Sequence, residues 1–143
     1  MRILIDENTA VQLLEILRHL LPQHEVRHVT EIKWSGKKDV PVLLDAGKRG
    51  FDVFITKDAH QLDDPDETDA IKRSRLHHVR YGQKERGLAG LALAIGAVVA
   101  ATPSIIKDLE QCEGQRLVHI AGLNPKHRYE IADPRKEPPR YWR

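Results

Sequence analysis

The stretch MRILIDEN, residues 1–8, opens as a short β-type run from Arg2 to Ile5 and stops abruptly at Asp6. A different period follows it. Between Thr9 and Leu21 the apolar residues Val11, Leu14, Leu17, Leu20 and Leu21 fall at helical spacing, and Pro22 ends the run. Glu25 to Val29 reads as a second strand, and TEIKWSGKK, residues 30–38, as an exposed loop with a Gly turn. From Asp39 the pattern Val40, Val42, Leu43, Leu44, Ala46 predicts a helix closed by Gly50. FDVFIT, residues 51–56, is the next strand, and Lys57-Asp58 follow it directly.

Further along, Asp64-Pro65-Asp66-Glu67 has the form of an N-cap, a Pro at the first helical position and an acid three residues after the cap. It predicts a helix to about Arg75, then a strand from Leu76 to Tyr81. Leu88 to Ile106 carries no charge and is long enough to raise the question of a membrane span. It is mostly Ala and Gly, however, and Thr102-Pro103 reads as a cap followed by a new helix, so two buried helices in series are expected. Arg116 to Ile120 is the last clear strand. The alternation β-α-β-α-β-α-β-α-α-β implies a three-layer α/β/α sandwich around a mostly parallel central sheet.

The 143 residues suit one domain, assigned to 1–122, with a C-terminal tail over 123–143. From Lys126 to Arg143 six Lys/Arg stand against three Asp/Glu, so the tail is locally basic. Such a tail reads as a solvated end, or as one that contacts phosphates through Arg140 and Arg143 and stacks bases on Tyr141 and Trp142. The formal net charge of +2 does not by itself announce a nucleic-acid binder. Cys112 is the only cysteine, which excludes an internal disulfide and a Cys-based zinc site and suits a reducing, cytoplasmic setting. The N-terminal run enters a strand pattern at once and has no apolar signal-peptide core.

In a parallel sheet the carboxyl ends of the strands share one rim, and ligands bind in the crevice outside it. Asp6 and Asp58 each stand where a strand stops, so both face that rim. Asp39 opens a helix that follows a parallel strand and can approach the same place. Three carboxylates without a basic partner repel one another, and a divalent cation relieves that. Hard oxygen ligands suit Mg²⁺ or Mn²⁺, and such an ion supports phosphodiester hydrolysis. Turn formation or helix capping would also account for each acid singly. Glu7, His60 and Asp63 are additional candidates, although Asp63, Asp64, Asp66 and Glu67 read more simply as helix capping.

MRILIDEN before a helix, KKDVPVLLDAGKRG (residues 37–50) and FDVFITKDAHQ (residues 51–61) together resemble the PIN-like domain family. Within it, the chain is similar to the small VapC-like toxin ribonucleases of bacterial toxin–antitoxin pairs. The resemblance covers about residues 1–122. It implies Asp6, Asp39 and Asp58 as first, second and third metal-binding acids of a Mg²⁺- or Mn²⁺-dependent endoribonuclease. It also implies RNA as substrate, a cognate antitoxin as inhibitor, and a homodimer. Many PIN nucleases carry a fourth acid after the next strand, whereas LHHVRYGQ here ends in Arg80, Tyr81, Gly82 and Gln83. A PIN-like module that binds RNA or a protein without cutting is therefore the rival reading. A phosphate-accepting receiver is weaker, because no Ser or Thr follows the fourth strand and no Lys follows the fifth closely.

Overall fold

The structure, a computed structural model, describes residues 1–57 and 60–143. Among the described residues six strands form one sheet: β1 (Arg2–Ile5), β2 (Glu25–His28), β3 (Val53–Thr56), β4 (His77–Arg80), β5 (Leu117–Ile120) and β6 (Tyr129–Ala132). Their order is β2-β1-β3-β4-β5-β6; the first five are parallel and β6 is antiparallel to β5. Four α-helices connect them: α1 (Gln12–Leu20), α2 (Asp39–Lys48), α3 (Pro65–Ser74) and α4 (Gly87–Glu110). This is the α/β architecture with a mostly parallel sheet that the alternation predicts.

Parallel strands covered on both faces read as near-continuous apolar runs, and their side chains divide between two cores. Ile3, Ile5, Val53, Ile55, Val79 and Val118 meet Leu13 and Leu17 of α1 and Val98 and Ile105 of α4 on one face. Leu4, Phe54 and Leu117 meet Val42 and Leu43 of α2 and Ala70 and Ile71 of α3 on the other. The helices of the second layer pack closely: a Cβ added at Gly47 would lie 2.6 Å from the Ser74 carbonyl oxygen. Asp64 caps α3 as predicted, its carboxylate accepting from the backbone N–H groups of Asp66 and Glu67 at 2.9 Å each.

Two expectations change. Residues 87–110 form one helix, not two in series. The Thr102 hydroxyl donates back to the Val98 carbonyl at 2.6 Å instead of capping a new helix, and Pro103 lies inside α4. A Pro in a helix interior costs about 3 kcal/mol. Beyond it, however, Ile105, Ile106 and Leu109 are fully buried, and each such side chain contributes about 1.5–3 kcal/mol, so packing outweighs the break. By length and composition α4 could cross a membrane; in this fold it is a core helix against the sheet. The second change lies in the segment set apart as a tail. Its residues 129–132 form β6, and Trp142 packs against the core beneath α2 and α3.

Candidate active site at the carboxyl ends of the strands

The strand order reverses between β1 and β3, since β1 leads outward to β2 while β3 begins the run in the opposite direction. That switch point is where open α/β sheets leave a crevice for ligands. Asp6 stands in it. Its N–H donates to the Ile55 carbonyl at 2.9 Å, so the β1–β3 ladder continues one residue past β1. The side chain is 6% exposed and satisfied on both oxygens: Oδ2 accepts from Thr56 Oγ1 at 2.7 Å and Oδ1 from the Glu7 backbone N–H at 2.8 Å. A buried carboxylate needs such donors to remain ionised. Asn8 completes this corner, its Oδ1 accepting from the Lys57 N–H at 3.2 Å.

Around this point the loops are tied together. The exposed Glu7 carboxylate accepts from the Gly36 N–H at 3.1 and 3.2 Å, which holds the loop leading into α2 against the Asp6 turn. Lys57 Nζ donates to Gln83 Oε1 at 2.8 Å, and Gln83 Nε2 reaches back to the Glu85 and Gly87 carbonyls. Beneath them the Tyr81 hydroxyl donates to Thr9 Oγ1 at 3.1 Å. Burial raises the Tyr81 phenol pKa, and the Asp6 charge adds to the rise.

Asp39 is the first residue of α2, with Lys38 at the cap position, so it does not cap its helix. It borders an open cleft of about 430 Å³ shared with Asp64, Asp66 and Glu67 at the start of α3. Among the described residues no donor binds its carboxylate. Asp63 ends a 3-10 turn (Gln61–Asp63), and its Oδ2 pairs with His60 Nδ1 at 3.2 Å on the exposed rim. Asp58 lies outside the described residues. Among those described, no three His, Cys, Asp or Glu side chains gather as a metal cradle. The donor chemistry of Asp6 and Asp39 nonetheless fits a hard divalent cation, which takes carboxylate oxygens and retained waters.

One feature escaped the sequence reading. Alternation along each strand places Asp6 two residues beyond Leu4, Thr56 beyond Phe54, Arg80 beyond His78 and His119 beyond Leu117. Thr56, Arg80, His119 and Glu130 are register partners in turn across the sheet. A row of polar side chains therefore crosses the carboxyl end of the sheet on the face that α2 and α3 cover, with Asp6 at its head. Thr at a strand end and a lone Arg or His carry no motif, so only the register exposes the row.

A family profile described as "PIN like domain" matches residues 1–82, from β1 through β4. No curated protein and no solved structure matches the chain. The matched segment holds β1, the switch point, Asp6 and Asp39 and covers more than half of the 143 residues. The chain belongs to the PIN-like domain family, whose members are generally nucleases.

Proposed function

We propose that this protein is a Mg²⁺- or Mn²⁺-dependent endoribonuclease, the toxin of a type II toxin–antitoxin pair, in which Asp6, Asp39 and Asp58 would hold the ion. The supporting observation is the buried Asp6 carboxylate at the β1–β3 switch point, oriented by Thr56, with the loop before α2 tied to the adjacent Glu7 through Gly36. A bound ion would orient water and stabilise charge on the phosphoryl oxygens. The chain's own part is positional. Thr56 and the Glu7 N–H fix Asp6 in one rotamer, while Glu7 and Gly36 hold the loop that delivers Asp39. RNA as substrate, a cognate antitoxin, a homodimer and a cytoplasmic location rest on the resemblance to the VapC-like toxins.

A second reading is a PIN-like module that binds RNA or a protein partner without cutting. Its support is that β4 ends in Arg80 rather than in an acid. Cleavage of single-stranded RNA with Mg²⁺ or Mn²⁺, for wild type and Asp6→Asn, separates the two. The nuclease reading expects metal-dependent cleavage that the variant loses at least a hundredfold. If the wild type cuts no faster than Asp6→Asn, that reading fails.

A further inference from the structure

We infer that Arg80 and His119 form a phosphate-binding subsite beside the acidic centre, which seats a backbone phosphate of the RNA strand away from the bond being cut. The inference rests on the nuclease reading for the position of the cut. Arg80 ends β4, is half-buried, and opens into a bay of about 310 Å³ between the 3-10 turn, β5, β6 and the C-terminal segment. Three acids border the bay: Asp63, Glu130 and Glu137. Asp63 is engaged with His60 at 3.2 Å, and Glu130 with His127 at 3.2 Å. Among the described residues no acid forms an ion pair with Arg80. Asp63 and Glu130 favour its charge from beyond ion-pair distance, and its planar fork, bound to no carboxylate, suits a phosphate's paired oxygens.

His119 is the β5 register partner of Arg80 and borders the same bay. Burial first, then Arg80, Lys84 and His127 disfavour its protonation, while Glu130 favours it, so the ring is a neutral donor or acceptor beside Arg80. An anion seated at the floor of the bay would meet Arg80 and Arg140, with Asp63, Glu130 and Glu137 also on its lining. Arg140, from the C-terminal segment, also lines the bay. Because parallel strands stand about 4.8 Å apart, Arg80 and His119 are successive steps away from Thr56 and Asp6. A strand lying across the carboxyl end of the sheet would pass from the carboxylates to Arg80 and the His119 imidazole without changing face.

The test is binding of a fluorescein-labelled single-stranded oligouridylate, read by anisotropy in EDTA across a salt series, so that no cleavage interferes. The variants are Arg80→Gln, His119→Gln, and Lys48→Gln as a control at the opposite end of α2. Arg80→Gln should weaken binding about tenfold, and the slope of log K against log salt should fall by roughly 0.7, the value for one lost phosphate contact on a single strand. Lys48→Gln should leave both unchanged. If Arg80→Gln matches wild type in affinity and slope, or if wild type does not bind the oligonucleotide, the subsite is refuted, whatever the cleavage assay shows. If binding depends on Arg80 while Mg²⁺ and Mn²⁺ support no cutting, the subsite stands and the nuclease reading fails. Should circular dichroism show Arg80→Gln unfolded, Arg140→Gln on the exposed segment gives the same reading; an unchanged slope there overturns the inference.

Discussion

Thr56 Oγ1 donates to Asp6 Oδ2 at 2.7 Å in a buried contact, so the last residue of β3 sets the carboxylate just beyond β1. Thr56→Val keeps the shape and removes the donor from a buried charge. Hydrogen bonds to charged groups contribute about 1.5–3 kcal/mol, and urea unfolding should report a loss of that size. Thr56→Ser should recover most of it. RNA cleavage should follow the same order, wild type, Ser, then Val, because the hydroxyl positions Asp6.

Gly90, in the first turn of α4, sits where a Cβ would come within 1.8 Å of the Glu85 carbonyl oxygen. Gly90→Ala must push the loop after β4 outward, and that loop holds Gln83 against Lys57. Overpacking of this kind costs about 1–3 kcal/mol, so the thermal midpoint should drop. At Gly96 the added Cβ would meet only Leu123 methyls at 3.8 Å or more. Gly96→Ala should therefore hold or raise the midpoint, through a helix preference of about 1 kcal/mol.

Acid should destabilise the fold through its buried histidines. Burial pushes His78 down to about 3, and His77 is lowered by burial and by Arg116. In the unfolded chain these rings take a proton near pH 6.5, while the native state refuses it, so the unfolded state binds more protons between those values. For His78 the contribution is full above about pH 6.5 and falls as pH drops toward 3, by up to about 1.4 kcal/mol per pH unit; the partly exposed His77 adds to the decline in the same direction. Urea midpoints measured from pH 7 to pH 4.5 should decline, and His78→Gln should flatten the slope even if it lowers the starting value.

At the alkaline end the sign reverses. Tyr129 is pushed up to about 12 by burial and by its bond to Asp108, and burial raises Tyr81 as well. The native state keeps a proton that the unfolded chain gives up near pH 10. The contribution is complete below pH 10 and is lost as pH rises toward 12. Phenolate absorbance in the native protein should develop at higher pH than in urea, and Tyr129→Phe should weaken the alkaline decline in stability.

How legible the molecule was depended on where each signal resides. Arg2–Ile5 and Val53–Thr56 were readable because a parallel strand buried on both faces is an unbroken apolar run. Asp64-Pro65 was readable because a cap is a local hydrogen bond. Tyr129–Ala132 was not, since an exposed edge strand of four residues needs little apolar character and its pairing with β5 is tertiary. Thr102-Pro103 misled for the opposite reason: the local break signal is real, and the burial of Ile105 and Ile106 overrides it. At the site, Asp6 stood out as an acid ending a strand. Arg80 was noticed only as an acid that was absent, because its importance lies in which neighbours its own sheet gives it.

The row from Asp6, just past β1, through Thr56 and Arg80 to His119 draws on the ends of four parallel strands joined by crossover connections. No fragment shorter than residues 6–119 contains it. A nascent chain that has emerged as far as residue 82 carries the acids and Arg80, but neither His119 nor the C-terminal segment that walls the bay. The row is therefore complete only once β5 has paired with β4, however early Asp6 and Asp39 are present.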